Sequence, residues 1–470
     1  MLRTLNKKVG YKVGFTVVLL AIVALIVWLM WPKSYEQMIP AQSKAVIRID
    51  NEMLRKKGSN AQTGVKLMPF TTKALDLSSP VYGVVTPNEY LCVLAKVNNE
   101  DTVESFLTAI EGKRVEADDY DGRHWAWLSE GWLVSWDKYS FLCAGPGVAQ
   151  ERDVLRQTIT SMVNTSQRFV DTPAFGRLKK LSQPLQIYAQ LDAIPAPYNM
   201  LFRFCTPVDC DPAVIQLFAS ADISIKNGDY RISELNCDIT SENADIVKAL
   251  DVYERKKGCI DLSNTSKCNK GLFFLATRTK GNALLRMLKT DATLRGLLMG
   301  LNNSFDADRL LGSADGLMSI EIGNFAKDWT PAFCLKAETH TNNLFDDANY
   351  WIESARKQKN VSLKRNEGNN YFLSNNKQQL HFGLQNNKDV LYFASPSMMS
   401  QAQQPFLFTK TEKYDKGTLM YFHVNIDLLN AQPCMKEGRT ASIIKKFLPT
   451  TSHKIIYTAK VGRTASLKFQ

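Results

Sequence analysis

Four tryptophans within twelve residues are the first feature of the sequence that could recognise a ligand. Period-two spacing places Trp125 and Trp127 on one face of a strand, and a turn at Gly131 would return Trp132 beside them, with Trp136 following. Such a platform could stack on sugar rings or receive the aromatic anchors of a protein partner. Ordinary sheet core is the interpretation that we favour, because aromatic residues recur at similar places in the second half of the chain.

Two pairs of neighbouring cysteines are candidates for small-loop disulfides in an oxidising compartment. Cys205 and Cys210 flank the segment CTPVDC, and Cys259 and Cys268 flank CIDLSNTSKC. The total of nine cysteines leaves at least one thiol unpaired. Because no CxxC motif occurs, the sequence predicts neither thioredoxin-like chemistry nor a zinc-finger site.

Catalytic motifs are not recognisable in the sequence. The five histidines are isolated from one another and form no HxH or HExxH pattern: His124, His340, His381, His423 and His453. No GxSxG nucleophile elbow or dinucleotide fingerprint is present. Paired acids such as Asp306/Asp308 and Asp346/Asp347 stand at turns or helix starts, where carboxylates cap backbone amides. We therefore predict no catalytic residue, no metal site and no cofactor.

Composition predicts a folded, multidomain chain with a moderate basic excess. The 470 residues are 45% hydrophobic and 22% charged, which is typical of globular proteins, and their number favours two or three domains. The formal net charge is +12, and the first 32 residues contribute four of the basic side chains and no acid. In the absence of a zinc-finger spacing or a long basic stripe, nucleic acid is not a predicted partner.

An apolar run near the N-terminus predicts a single-pass transmembrane helix. The segment Gly14–Trp31, GFTVVLLAIVALIVWLMW, would reach about 27 Å as a helix, close to the ~30 Å hydrocarbon core of a bilayer. A cleaved signal peptide is the competing interpretation, but the run ends in bulky residues. The basic residues before it predict a cytoplasmic tail at 1–13, a signal anchor at 14–32 and, in a bacterium, a periplasmic bulk held to the inner membrane.

The remainder of the chain presents the same order of elements twice. AVIRID, VYGVVTP, YLCVLAKV and the helix DTVESFLTAIE are answered by LFFLATR, GLMSIEIG, PAFCLKAE and FDDANYWIESA. Later, Asp192 in PLQIYAQLDAI matches Asp427 in TLMYFHVNIDLL. We predict a tandem duplication of α+β domains, each an antiparallel sheet with a few helices, at 36–255 and 265–470.

Three passages carry a resemblance to a known group of proteins: IPAQSKAVIRID, LSSPVYGVV and LAKVNNEDTVESFL. In these passages the chain resembles cell-envelope proteins of Bacteroidota that share a domain of unknown function. Members of that group often carry a lipidated cysteine, where this chain has the apolar run instead. The resemblance implies an envelope location without implying an activity.

These observations favour a membrane-anchored envelope protein that acts by binding or scaffolding, with an envelope protein or a glycan as its partner. An envelope hydrolase with a dispersed active site is one alternative. A carrier of lipid or another hydrophobic ligand is the other, and it requires a deep apolar cavity.

Overall fold

The computed structural model describes most of the chain beyond its N-terminal stretch. The described residues are 34–58, 71–194, 199, 202–203, 205–207, 209–226, 229–263, 271–290, 292–341, 343–375, 379–385, 389–411, 417–436, 438, 440–442, 445 and 452–470. They belong to two compact units, the first within Met1–Lys44 and Lys66–Arg177, the second within Ala45–Val65 and Leu178–Gln470. This division does not coincide with the predicted domains 36–255 and 265–470, whose bounds remain a prediction.

The strands of the described residues are short and numerous. They are β1 (Ala45–Ile49), β2 (Val81–Val85), β3 (Leu91–Lys96), β4 (Asp118–Tyr120), β5 (Arg123–Trp127), β6 (Leu133–Trp136), β7 (Ser140–Gly145), β8 (Leu185–Gln190), β9 (Gln216–Lys226), β10 (Asp229–Thr240), β11 (Cys259–Asp261), β12 (Phe273–Lys280), β13 (Ala314–Phe325), β14 (Pro331–Thr339), β15 (Val361–Arg365), β16 (Asn370–Asn375), β17 (Gln379–Leu384), β18 (Val390–Ala394), β19 (Thr409–Thr411), β20 (Thr418–Asn425), β21 (Lys454–Lys460) and β22 (Thr464–Phe469).

The α-helices of the described residues are also short. They are α1 (Asn51–Gly58), α2 (Thr71–Ala74), α3 (Val103–Glu111), α4 (Arg152–Val163), α5 (Pro173–Lys179), α6 (Ala244–Lys257), α7 (Gly281–Thr290), α8 (Ala292–Asn302), α9 (Ala307–Gly312), α10 (Ala348–Arg356), α11 (Met399–Ala402) and α12 (Ile426–Asn430).

The first unit is built on an antiparallel sheet with the strand order β2–β3–β7–β6–β5–β4. Every residue of β6 is buried, so both faces of the sheet are covered. Helix α3 covers one face with Val103, Phe106 and Leu107, whose i, i+3, i+4 spacing makes a single apolar stripe. Helix α4 packs on β6 and β7 and places Arg156 over the ring of Trp125, on the other face.

An ion pair between the buried Arg123 and the partly exposed Asp137 fixes the β5–β6–β7 part of this unit. Arg123 is 8% exposed; its Nε donates to Ser135 Oγ at 2.9 Å, and its terminal nitrogens bind Asp137 and, at 3.0 Å, Ser140 Oγ. Asp137 also accepts the backbone N–H groups of Tyr139 and Ser140, each at 2.7 Å. Burial lowers the pKa of Arg123, and the nearby Asp137 carboxylate opposes that shift. All of these groups satisfy one another, as a charge removed from water requires.

The second unit contains a long antiparallel ladder, β1–β8–β9–β10–β22–β21–β20–β12–β13–β14–β18–β17–β16–β15. Strand β11 pairs with β19 and, at one residue, with β20. The described residues thus form an α+β architecture of antiparallel strands with short helices, as the alternating strand patterns predict.

The order of strand pairing is the same in the two halves of the sequence. The series β2–β3–β7–β6–β5–β4 has the counterpart β13–β14–β18–β17–β16–β15, and β1–β8–β9–β10 has the counterpart β12–β20–β21–β22. Ala144 lies opposite Cys92, and its counterpart Ala394 lies opposite Cys334. A tandem duplication predicts this repetition, although common ancestry itself remains a prediction.

The predicted single-pass transmembrane helix has to be corrected. The longest helix of the described residues, α6, has 14 residues and carries charges, and none of their helices is long and apolar enough to cross a membrane. At ~1.5 Å per residue, that length reaches about 21 Å, well short of the ~30 Å of a bilayer core. The predicted tail at 1–13 and the predicted anchor at 14–32 lie outside the described residues. The described residues therefore form an α+β fold, and none of their helices is the predicted single-pass anchor.

Candidate functional site

The four clustered tryptophans do not share one surface. Opposite residues of an antiparallel ladder point to the same face, so the β5–β6 register places Trp125 and Trp127 on one face and Trp136 on the other. Trp132 packs against the core cluster that contains Trp136. Trp125 and Trp136 are each only 2% exposed, so they belong to the core of the first unit. The structure thus separates the four rings of the predicted platform.

The candidate disulfide cysteines are free thiols where the structure describes them. Cys205 is buried, Cys210 is partly buried and Cys259 is buried, and none of the three is bonded to another cysteine. Cys268 lies outside the described residues. Burial raises the pKa of the Cys205 thiol to about 11, so its reactive thiolate is disfavoured.

The histidines have different surroundings. His124 contacts the carboxylates of Asp119 and Glu100, and the Nδ1 atom of His453 lies 2.9 Å from Asp427; both rings are solvent-accessible. His423 is fully buried between Phe274 and Tyr421. No group of three or more His, Cys, Asp or Glu side chains in the described part of the chain could hold a metal ion.

A cleft of about 480 Å³ opens on the second unit between the end of α8 and helix α10. Two segments of the chain supply its walls: Asn302, Asn303, Ser304, Phe305 and Asp306, then Asp347, Tyr350, Trp351 and Ser354. We call this feature the α8–α10 cleft. Its volume falls within the range of roughly 300–1,000 Å³ that is usual for small-ligand sites.

Buried aromatic rings make the floor of the α8–α10 cleft. Phe305 is 1% exposed and Trp351 is 5% exposed, and their ring centroids lie 6.4 Å apart. Phe305 also stacks on Phe382 at 4.3 Å, with an angle of 20° between the ring planes. Because these rings belong to a packed core cluster, they hold the floor in place.

Tyr350 forms an exposed aromatic edge on the same cleft. Its side chain is 71% exposed, more than any other large hydrophobic residue of the described chain. Tyr350 directly precedes the buried Trp351 on α10. Because successive helical residues point about 100° apart, the burial of Trp351 directs Tyr350 toward solvent. The cleft thus combines an accessible aromatic face with amide, hydroxyl and carboxylate groups.

Charges around the cleft are partly compensated. The guanidinium of Arg309 pairs with Asp347 and donates to the carbonyl oxygen of Asn343 at 2.6 Å. Asp306 caps helix α9 by accepting the backbone N–H of Arg309 at 2.9 Å, and no basic side chain lines the cleft beside it. The cleft is therefore mildly acidic on a chain with a net charge of +12.

A second cavity in this unit is far smaller. It lies beside Leu191, Cys210 and Met287 and offers about 10 Å³, which is room for roughly one water molecule. A cavity of that size does not accommodate an acyl chain.

The α8–α10 cleft was not found from the sequence, because its two segments lie some 40 residues apart and meet only through tertiary packing. The sequence interpretation treated Asp306 and Asp347 as helix-start acids, and Asp306 does cap α9. Tyr350 and Trp351 give the one local indication of this cleft, since an exposed aromatic residue stands next to a buried one on an amphipathic helix.

Comparisons with known proteins do not identify a family. No family model matches the chain, and no curated protein matches it. Among solved structures, crystal form I of TP0453 is 9% identical, covering 50% of this chain and 89% of that chain with a TM-score of 0.28. Crystal form IV is 10% identical, covering 43% and 79% with a TM-score of 0.27. At such scores the likeness carries no argument, and the resemblance to Bacteroidota envelope proteins remains a prediction.

Proposed function

We propose that the chain is a binding protein whose ligand docks in the α8–α10 cleft. The observation that carries the proposal is the exposed ring of Tyr350 beside a rigid aromatic floor and a polar wall. A ligand-binding site typically joins apolar contact area to a few polar groups that fix orientation.

The chemistry of the wall favours a carbohydrate as the ligand. One face of a pyranose ring is apolar and stacks on an aromatic side chain, while its hydroxyl groups bond to amides, hydroxyls and carboxylates such as those of Asn303, Ser354 and Asp306. Because the cleft is mildly acidic, a neutral or amino sugar suits it better than a sulfated or phosphorylated glycan. Binding of such a glycan would serve the scaffolding role predicted from the sequence.

Replacing Tyr350 with alanine is expected to weaken glycan binding about fivefold, because a lost aromatic stacking contact is worth on the order of 1 kcal/mol. The measurement is a screen of the purified chain against neutral, amino and sulfated oligosaccharides, followed by calorimetry on the best binder. Tyr120→Ala is the matched control, since Tyr120 is 59% exposed in the other unit.

Two results would contradict this function. If the chain bound no neutral or amino oligosaccharide at millimolar concentration, these sugars would be excluded as its ligands. Equal loss of affinity in Tyr350→Ala and Tyr120→Ala would remove the α8–α10 cleft as the site.

We further propose that the described units work outside the cytoplasm. The support is the N-terminal sequence, where Arg3, Lys7, Lys8 and Lys12 precede the apolar run and no acid accompanies them, which is the pattern of the secretory signal peptide that competes with the anchor interpretation. Protease added to intact spheroplasts is expected to degrade the described units, while a cytoplasmic marker protein survives. Full protection of the chain until lysis would place it in the cytoplasm instead.

A further inference from the structure

Strands β10 and β22, one from each half of the sequence, pair within the antiparallel ladder of the second unit. The antiparallel register places Leu235 opposite Leu467, Asn236 opposite Ser466 and Cys237 opposite Ala465. We call this pairing the β10–β22 seam.

Equivalent positions in the two halves can be assigned without reference to the seam. The N–H of Leu191 donates to the carbonyl of Ile215 at 2.9 Å, and the N–H of Ile426 donates to that of His453 at 2.9 Å. Each donor directly precedes one of the two matched aspartates, Asp192 and Asp427. These bonds make β8 equivalent to β20 and β9 to β21, residue by residue.

Following the ladders outward fixes the equivalence at the seam. Ala219 of β9 faces Cys237, and its counterpart Tyr457 of β21 faces Leu467. By the same route Ala221 faces Leu235, and its counterpart Ala459 faces Ala465. Cys237 therefore corresponds to Leu467, and Leu235 corresponds to Ala465.

This correspondence makes the seam self-complementary. Leu235 lies opposite Leu467, which is the counterpart of Cys237. Likewise, Cys237 lies opposite Ala465, which is the counterpart of Leu235. Asn236 lies opposite Ser466, and Ser466 is also the residue that corresponds to Asn236 in the other half. A local two-fold axis therefore passes between these two residues. An interface in which residue i meets j and j meets i is the isologous arrangement of two-fold symmetric dimers.

The seam also has the burial of an interface core. Cys237 and Ala465 are each 5% exposed and belong to one core cluster, against which Leu235 and Leu467 pack. Glu254 of α6 reinforces it by accepting the backbone N–H groups of Gly462 and Arg463, in the turn between β21 and β22, at 3.0 and 2.8 Å. Apolar burial and hydrogen bonds therefore join the two halves independently of the peptide chain between them.

We infer that the β10–β22 seam is a subunit-type interface, in which each half is the binding partner of the other and the covalent connection is dispensable. The test uses the full chain with a protease recognition site placed between Ser263 and Gly271. After cleavage, light scattering during size exclusion is expected to show both fragments in one complex with the mass of the intact chain. Separation of the fragments at micromolar concentration would overturn the inference.

Strand β11 also crosses between the halves, so variants must isolate the seam. Leu235→Asp is expected to weaken association of the cleaved fragments at least 100-fold, and adding Leu467→Lys is expected to restore at least tenfold, because the two residues lie opposite one another. Ile232→Asp is the matched control: Ile232 is on β10 but beyond the seam and 39% exposed, and association should not change.

The rescue keeps the test decisive if Leu235→Asp alone does not fold. The doubly substituted chain is then compared with wild type, and equal co-elution after cleavage supports the seam. Failure of Leu467→Lys to restore any association, in a chain that folds before cleavage, would show that the halves are joined elsewhere.

Discussion

Asp137→Ala is expected to lower the free energy of unfolding by about 3 kcal/mol, the lower end of the cost of breaking a buried ion pair, because Arg123 is buried and Asp137 is partly exposed. The substitution leaves the 8%-exposed Arg123 without its counter-charge, and it takes away the acceptor for the Tyr139 and Ser140 amides. Urea denaturation followed by tryptophan fluorescence measures the change, since Trp125 and Trp136 are buried in the same sheet.

A double-substitution cycle separates the charge effect from lost packing. Arg123→Met with Asp137→Ala should be less destabilised than Asp137→Ala alone, because neither charge is then buried without a partner. The exposed pair Lys44–Glu89 of the same unit provides the control, and Glu89→Gln should leave the unfolding curve unchanged. If Asp137→Ala unfolded at the same urea concentration as Glu89→Gln, the buried pair would not stabilise the sheet.

Acidification is expected to remove about 3 kcal/mol of stability through His423 alone. Burial lowers the pKa of this ring from 6.5 to about 4, with Lys454 acting in the same direction and the Gly271 backbone acting against it. The folded state therefore keeps the ring neutral, whereas the unfolded state takes up a proton below pH 6.5. The stabilisation is complete above that pH and is lost as the pH falls through 4.

The measurement is the free energy of unfolding at several pH values between 7 and 4, for wild type and for His423→Leu. The free energy of unfolding of the variant should no longer fall steeply with pH between 7 and 4, whatever its absolute value, because leucine does not titrate. His340→Leu serves as the control, since His340 is exposed. Parallel curves for wild type and His423→Leu would mean that the buried ring does not govern the acid sensitivity.

The order of strands along the chain was predictable because it rests on local pattern, whereas the pairing of strands distant in sequence, such as β1–β8 and β3–β7, was not. Alternating apolar residues marked most strands, and pairing such as β2–β3 or β13–β14 follows from their adjacency along the chain. The matched aspartates Asp192 and Asp427 also aligned two elements that the structure makes equivalent. A pattern repeated twice is informative because both copies must satisfy the same alternation.

The tryptophan platform was less predictable, because a period of two decides the face of a residue only within one strand. The turn between β5 and β6 sets the register, and a shift of one residue reverses every face. That register separates Trp136 from Trp125 and Trp127. The α8–α10 cleft could not be predicted for another reason: it depends on the packing of two chain segments against one core cluster, which no local pattern specifies.

The local axis at Asn236 and Ser466 has a consequence for the freedom of the sequence to vary. In a homodimer every residue occurs on both sides of the two-fold axis, so one substitution alters two contacts. A charged residue on the axis lies next to the same charge of the other subunit. Here Lys468 lies 3.5 Å from Glu234, whereas the symmetry-related place pairs Asp238 with the hydroxyl residue Thr464. Joined in one polypeptide, the two halves can vary independently, one keeping a polar cleft and the other adopting different neighbours without disturbing their shared junction.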